Sequence, residues 1–137
     1  MKIVIIEDEQ LAALRLKSMI LEYDYTLDVV AILESVTDSV DWFRSNPVPD
    51  LIFLDIHLED NVSFAIFNHI SIACPIVFTT ATDQLSTRAF ELKKIDYLLK
   101  PILNKDLILL IEKYRNLPLY DRRTVDSTMF TDIIKNH

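Results

Sequence analysis

The chain has 137 residues, half of them hydrophobic and 26% charged, which suits one globular domain with a real core. Its net charge of -7 argues against nucleic-acid binding, because phosphates must be met by lysine and arginine. The single cysteine, Cys74, excludes an internal disulfide, and neither a signal peptide nor a membrane-spanning stretch is visible. We therefore expect a cytoplasmic protein without membrane contact.

The predicted elements alternate between strands and helices along the chain. Short apolar runs predict strands at Lys2–Ile6, Leu27–Leu33, Leu51–Asp55, Ile76–Phe78 and Asp96–Leu99. Helical periodicity predicts helices at Glu9–Tyr23, Ser35–Asn46, Val62–Ile72, Gln84–Leu92 and Leu103–Arg115. In the first helix, the residues expected on the apolar face are Leu11, Ala12, Leu14, Met19, Ile20 and Leu21. In the last helix, Leu107 and Ile111 are expected there.

This alternation indicates βαβ units with right-handed crossovers, and therefore an α/β fold. We predict a doubly wound, five-stranded parallel sheet with helices on both sides. The apolar density falls after Pro118, so residues 1–117 are predicted to form the domain. Residues 118–137 are predicted to be a linker or C-terminal tail, with Asp126–Asn136 as a candidate short helix.

The third predicted strand carries the most informative residue of the chain. Its four apolar residues, Leu51–Leu54, are typical of a strand buried on both faces, and they stop at Asp55. The carboxyl ends of parallel strands form the edge where open α/β sheets bind ligands. A carboxylate buried there is costly unless a cation or a reaction needs it.

Further polar side chains follow the other predicted strands. Glu7 and Asp8 follow the first strand, Thr80 comes shortly after the fourth, and Lys100 follows the fifth. Taken singly, each of these residues more often has a structural role than a functional one. The parallel sheet, however, brings all of them to one edge. Clustered carboxylates suit Mg²⁺, while a lysine and a hydroxyl beside Asp55 suit a phosphoryl group on that carboxylate.

These residues stand in an order that resembles the receiver domain of two-component response regulators. The resemblance rests on Glu7-Asp8, Asp55, Thr80-Ala81, Tyr97 and Lys100-Pro101, and it covers residues 1–117. The segments Pro75–Asp83 and Arg88–Pro101 look like the LytTR-type (LytR/AgrA-like) branch, whose receivers precede a DNA-binding domain. The resemblance implies a flavodoxin-like sheet with the strand order 2-1-3-4-5.

The resemblance also implies a function for the acidic edge. Asp55 would accept a phosphoryl group from a sensor histidine kinase. Asp8 and Asp55 would hold Mg²⁺, with Glu7 acting through water and the backbone carbonyl of His57 as a further ligand. Lys100 would pair with the phosphoryl oxygens. The chain would be a signalling phosphoacceptor and not an enzyme with turnover.

The resemblance to receiver domains also implies how phosphorylation would change the conformation of the chain. Thr80 and Tyr97 would form the switch, and the Lys100–Pro101 bond would be cis, which proline makes inexpensive. The output face would consist of the fourth helix, fifth strand and fifth helix, roughly Gln84–Arg115. That face would pair with a second copy or with an output domain, for which the LytTR branch needs about a hundred further residues.

Two features depart from the family pattern. Glu59 and Ser63 stand where receivers usually carry proline and glycine after the phosphorylated aspartate, so a different loop shape is expected. The chain contains no glycine at all, which predicts that turns needing positive φ use Asn46, Asp60 or Asn61.

Two rival functions stay open from the sequence. One is a pseudo-receiver, an interaction module of the same fold that works without phosphorylation. The other is a haloacid-dehalogenase-like phosphohydrolase, which also uses a strand-ending aspartate with Mg²⁺. That enzyme needs a second acid two residues later, where this chain has His57.

Overall fold

The computed structural model describes residues 1–81, 87–118 and 121–130, with the backbone alone for residues 87–89. Its strands are β1 (Lys2–Ile6), β2 (Asp28–Leu33), β3 (Leu51–Asp55), β4 (Ile72–Ala73), β5 (Ile76–Thr80), β6 (Asp96–Leu99) and β7 (Thr124–Val125). Its α-helices are α1 (Gln10–Tyr23), α2 (Val36–Ser45), α3 (Thr87–Leu92) and α4 (Asn104–Arg115), and its 3₁₀ helices include Ser63–Asn68 and Ser127–Phe130. None of the described helices is long and apolar enough to cross a membrane.

The main sheet confirms the predicted fold class. Five parallel strands lie in the order β2-β1-β3-β5-β6, which is the predicted order 2-1-3-4-5 once the short β4 is set aside. All five residues of β3 are buried, as expected for a strand covered on both faces. Alternate residues along each strand point to opposite faces, so the sheet separates two cores.

One core, here called the aliphatic face, is covered by α1 and α4. Ile3 and Ile5 of β1 point into it, and Leu107 and Ile111 of α4 are fully buried, as predicted. The prediction for α1 was right for Ile20 and wrong for Leu11 and Leu14. Its buried stripe is Ala13, Leu16 and Ile20, whereas Leu11 is 77% and Leu14 46% exposed. A helix buries one stripe at spacings of three and four, and the two leucines lie outside it.

The other core, here called the aromatic face, is covered by α2, α3 and the 3₁₀ helix Ser63–Asn68. Five buried phenylalanines pack in this core: Phe64, Phe67, Phe78, Phe90 and Phe130. Their ring centroids lie between 4.6 and 6.4 Å apart in the contacting pairs. Tyr97 joins the edge of the cluster at 5.9 Å from Phe90.

The predicted helix Val62–Ile72 is instead the 3₁₀ helix Ser63–Asn68. Its N-terminus has no side-chain cap, and half of its residues are aromatic or β-branched, types that have modest helix propensity. Ile72 is drawn into the short strand β4, which pairs with β7 in an antiparallel two-stranded sheet. Phe64, Ile66 and Phe67 are nevertheless buried, so the apolar pattern located a covering element but assigned it the wrong type.

Residues 121–130, here called the C-terminal segment, pack onto the aromatic face. Val125 is 4% exposed and pairs with Ile72, and Phe130 is fully buried and stacked on Phe64 with centroids 4.6 Å apart. Arg122 forms an ion pair of 3.0 Å with Asp50. The described part of the predicted tail is thus a component of the core. Of the candidate helix Asp126–Asn136, residues 131–136 lie outside the described residues.

The end of α3 has an unusual backbone conformation. Among the described residues, Lys94 alone has a positive φ, of 56°, so the expected use of Asn46, Asp60 or Asn61 was wrong. The Lys94 and Ile95 amides donate to the Glu91 and Phe90 carbonyls, the helix-ending pattern in which glycine usually stands. Arg123 of the C-terminal segment donates to the Lys94 carbonyl at 3.0 Å. The beginning of the predicted helix, Gln84–Ser86, lies outside the described residues.

Candidate functional site

The parallel register brings the predicted site residues to one edge of the sheet. Glu7 directly follows β1, Asp55 ends β3, Thr80 ends β5 and Lys100 directly follows β6. Pairing of Ile6 with Leu54, of Asp55 with Thr79 and of Thr80 with Leu99 aligns these four strand ends. The convergence expected from the sequence is therefore present.

Three carboxylates meet at this edge. Glu7, Asp8 and Asp55 each place a carboxylate oxygen within 4.8 Å of the others. Glu7 is only 5% and Asp55 only 6% exposed, and Asp8 is the most accessible of the three. Burying acids so close together is unfavourable unless positive charge compensates.

Lys100 supplies part of that positive charge. Its Nζ donates to Glu7 Oε1 at 2.8 Å and to Asp55 Oδ2 at 3.0 Å. Burial by itself would lower the pKa of Lys100, but the bonds to Glu7 and Asp55 outweigh burial and raise the pKa. The ammonium therefore stays charged between the two acids.

A single lysine does not balance the acids. Burial first, and then the neighbouring Asp55, raise the pKa of Glu7 from 4.5 to about 8, even though Lys100 acts in the opposite direction. Among the residues that the structure describes, nothing donates a hydrogen bond to the buried Glu7 Oε2. Glu7 Oε2 is thus a buried oxygen without a donor in the described part of the chain, which suits a further cation.

The donor set fits Mg²⁺ in particular. Mg²⁺ prefers a few carboxylate oxygens together with water and phosphate oxygens, and the cluster offers carboxylates only. The His57 side chain is exposed, while its backbone N–H donates to Asp55 Oδ1 at 3.3 Å. The backbone of the predicted carbonyl ligand therefore lies against the central aspartate.

The two predicted switch residues lie on adjacent strands. Thr80 is fully buried, and its hydroxyl donates to the Ala81 carbonyl at 2.9 Å. Tyr97 on β6 is half-buried, and its hydroxyl donates to Glu91 of α3 at 2.9 Å. The Lys100–Pro101 bond is cis, which confirms that prediction.

Sequence reasoning missed one residue at this edge. Asp60, in the loop that follows Asp55, accepts hydrogen bonds from the N-terminus of α2. Its partners lie more than 20 residues earlier in the chain, so no local pattern could connect them. The substitution of the usual proline and glycine by Glu59 and Ser63 was the available signal that this loop is held differently.

Comparison with known proteins supports the resemblance to receiver domains that was seen in the sequence. The profile of the response regulator receiver domain matches residues 3–112. The chain is 35% identical over 118 residues to the sensory transduction protein LytT of Bacillus anthracis, covering 84% of this chain and 47% of that protein. It is 36% identical over 104 residues to the transcriptional regulatory protein YpdB of Escherichia coli K12, covering 74% of this chain and 42% of that protein. The chain thus spans about half the length of these relatives.

Solved structures agree in fold. The response regulatory domain of mrkE from Klebsiella pneumoniae superposes with a TM-score of 0.70 at 30% identity, covering 84% of this chain and 95% of that one. A two-component response regulator from Clostridium difficile gives 0.67 at 25% identity, covering 83% and 94%. Receiver domains interact with histidine kinases, bind Mg²⁺ at an acidic pocket and generally serve signalling. The chain belongs to the response regulator receiver domain family, and the LytT and LytR proteins are among the relatives that it resembles.

Proposed function

We propose that this chain accepts a phosphoryl group on Asp55 from a sensor histidine kinase, in a reaction that requires Mg²⁺. The observation that carries the proposal is the placement of the buried Asp55 carboxylate, with Lys100 Nζ 3.0 Å from one oxygen and two further acids beside it. An isolated structural carboxylate at a strand end would need neither the second acid nor the lysine.

The chemistry is a displacement at phosphorus. An Asp55 carboxylate oxygen forms a bond to the phosphorus of a phosphohistidine, and the phosphorus–nitrogen bond breaks. The imidazole nitrogen leaves with the electron pair and takes a proton from water. Lys100, already hydrogen-bonded to Asp55 Oδ2, lies where it can pair with an oxygen of the transferred group.

Glu7, Asp8, Asp55 and the His57 carbonyl are the groups that would hold Mg²⁺. When bound, the ion offsets the repulsion between the phosphoryl oxygens and the carboxylates. Glu7 Oε2, buried and without a donor among the described residues, is the acceptor that fits such an ion or its bound water.

The switch follows from a new hydrogen-bond acceptor. Phosphoryl oxygens on Asp55 would offer the Thr80 hydroxyl a charge-assisted bond in place of the Ala81 carbonyl, which it contacts now. Movement of Thr80 would open space for Tyr97 to leave Glu91 and turn inward. Two packings that differ by a few kilocalories per mole can be biased by such a local event.

The output surface would be the face formed by α3, β6 and α4. Leu92, Leu99 and Leu109 on these elements are 74%, 40% and 70% exposed, which suits pairing with a second copy or with another domain. By likeness to the LytT and LytR proteins, we propose that the controlled partner is a LytTR-type DNA-binding domain. The receiver itself would make no nucleic-acid contact.

The test is mass spectrometry of the chain after incubation with acetyl phosphate and Mg²⁺. We expect one phosphoryl group per wild-type chain, none in Asp55→Asn, and none when the divalent cation is chelated. Asp41→Asn, which changes an exposed acid on α2, is the matched control and should label like the wild type. Absence of labelling in the wild type would favour the pseudo-receiver, and continuous hydrolysis of a small phosphate ester would favour the phosphohydrolase.

Amide exchange with and without beryllofluoride, a phosphoryl mimic, tests the switch. Protection is expected to change in β5 and β6, and sedimentation should show whether a dimer forms at the same time. Unchanged exchange in both strands would mean that the signal leaves by another face.

A further inference from the structure

The loop between Asp55 and the 3₁₀ helix Ser63–Asn68 lacks both proline and glycine, yet it is closed by its own hydrogen bonds. The Ser63 amide donates to the Ile56 carbonyl at 2.7 Å, and the Leu58 amide donates to the Asn61 carbonyl at 3.0 Å. His57 and Val62 form an antiparallel bridge between these two bonds. The loop is therefore a tight, hairpin-like turn with Glu59, Asp60 and Asn61 at its tip.

The tip is tied to a different element by Asp60. Asp60 Oδ1 accepts from the Val36 amide at 2.9 Å, and Oδ2 accepts from the Thr37 amide at 3.2 Å. Ser35, the N-cap of α2, satisfies the Asp38 amide at 3.0 Å. Ser35 and Asp60 together satisfy three amides of the first turn of α2, which would otherwise have no partner within the helix.

The contact between the Asp60 carboxylate and the first turn of α2 is electrostatically favourable. The Val36 amide, more than any other group, holds the pKa of Asp60 below its usual value of 3.8, so the side chain is an anion at neutral pH. A negative charge at a helix N-terminus is also favoured by the helix dipole. Asp60 thus connects the tip of the loop to a rigid helix that packs against the aromatic face.

The other end of the same loop reaches the acidic edge. His57 lies two residues after Asp55 and directs its N–H to Asp55 Oδ1 at 3.3 Å. Because the bridge between His57 and Val62 spans the turn, displacement of the tip would shift the His57 backbone against the carboxylate. In a loop that contains proline, the pyrrolidine ring fixes one backbone dihedral angle and supplies some of this rigidity.

We infer that Asp60 is a positioning residue, which fixes the loop to α2 and thereby sets the His57 backbone for binding Mg²⁺ beside Asp55. The inference rests on the proposed function, because it concerns the same proposed Mg²⁺ site beside Asp55. Asp60 itself acts only through the loop, as an outer-sphere group acts on metal ligands.

Calorimetric titration with Mg²⁺ separates positioning from simple charge. Asp60→Ala is expected to raise the Kd for Mg²⁺ about tenfold. Asp60→Asn keeps one acceptor oxygen, which can serve the Val36 amide but not the Thr37 amide as well, and should recover part of the affinity. Glu59→Gln removes the same charge from the neighbouring exposed residue and should change the Kd by less than about twofold, because exposed charges are screened.

Labelling by acetyl phosphate gives a second reading of the same variants. In Asp60→Ala, the rate should fall at low Mg²⁺ and return to within about twofold of the wild type when Mg²⁺ is saturating, since the loss is one of metal binding. Amide exchange at Val36 and Thr37 should speed up in Asp60→Ala and stay unchanged in Glu59→Gln.

Equal Kd changes in Asp60→Ala and Glu59→Gln, or an unchanged Kd in Asp60→Ala, would overturn the inference. Should Asp60→Ala not fold, Asp60→Glu decides between the two explanations, because it keeps the charge and displaces the oxygens by one methylene. Positioning predicts a clearly weaker Kd for Asp60→Glu, and a pure charge effect predicts the wild-type Kd. A wild-type chain that neither binds Mg²⁺ nor labels would overturn the proposed function, and the role of Asp60 with it.

Discussion

The two faces of the sheet are built by different means. The aliphatic face is covered by two regular helices, α1 and α4, of 14 and 12 residues. The aromatic face is covered by shorter pieces, namely α2, α3 and two 3₁₀ helices, of which one belongs to the C-terminal segment. Its phenylalanine rings fill the volume that long helices fill on the other side.

The difference shows that burial, and not regular secondary structure, is what both faces share. Phe130 on one face and Ile111 on the other are both fully buried, although one lies in a four-residue 3₁₀ helix and the other in a long α-helix. A short segment can be as firmly held as a helix when one large ring is surrounded by other rings. The aromatic face therefore brings together residues from distant parts of the chain, as Phe64 and Phe130 show.

Phe130→Ala is the change with the largest expected effect. Removing a fully buried ring that stacks on Phe64 should lower the free energy of unfolding by about 3–5 kcal/mol. Ile111→Ala on the aliphatic face should cost about 2–5 kcal/mol by the same reasoning. Urea denaturation of the two variants measures both values.

Leu109→Ala, which truncates a side chain that is 70% exposed on α4, is the control and should stay within about 0.5 kcal/mol of the wild type. A loss below about 1 kcal/mol for Phe130→Ala would break the comparison, because a buried ring cannot be so inexpensive to remove. The C-terminal segment would then be a tail, as the sequence suggested.

Lys94→Gly should have the opposite sign and a smaller size. A non-glycine residue at φ 56° costs about 1 kcal/mol, so glycine at the end of α3 should stabilise the chain by about that amount. Lys93→Gly, one position earlier, is the matched control and should give no stabilisation. Equal effects of the two substitutions would show that the strain at Lys94 is not specific to its φ. Thermal unfolding of both variants would sharpen the comparison by locating strain on the aromatic face.

The smallest effect is a pH dependence on the aliphatic side. The Thr26 hydroxyl, then the Thr26 amide and Arg115, hold the pKa of Asp24 at about 2 instead of 3.8. Because the folded pKa is depressed, the contribution of Asp24 is present above 3.8 and is lost as the pH falls through about 2. Asp24 and Arg115 connect the end of α1 to the end of α4.

NMR titration of the Asp24 carboxyl carbon checks this. Thr26→Val should raise its pKa part of the way to the ordinary value, whereas Thr26→Ser keeps the hydroxyl and should leave the pKa low. An unchanged midpoint in Thr26→Val would assign the low pKa to the backbone amide of residue 26 and to Arg115 instead.

The sheet and the site edge were predictable because their signals are local. Each strand is visible in the sequence as an apolar run. The candidate functional residues lie where those runs end, as at Asp55 and Lys100. Parallel topology then brings these ends together without any further information. The helices of the aliphatic face were predictable for the same reason, apart from the exact stripe of α1.

The parts that escaped prediction depend on partners far away in the chain. Nothing near Asp60 indicates that it binds the start of α2, and nothing near Phe130 indicates the three phenyl rings that it contacts. Ile72 becomes a strand residue only because Val125 pairs with it. Local periodicity cannot report such pairs, so it assigned a helix and a tail.

Phe130 comes after the other four phenylalanines of the aromatic face in the sequence, which has a consequence for biosynthesis. At roughly 5–20 residues per second, a ribosome adds the stretch between Phe90 and Phe130 over several seconds. Once Leu99 has been added, all five strands of the main sheet have been made, while the ring that stacks on Phe64 does not yet exist. The nascent domain would show uncovered phenyl surface to chaperones until the C-terminal segment emerges, and only then could its second core close.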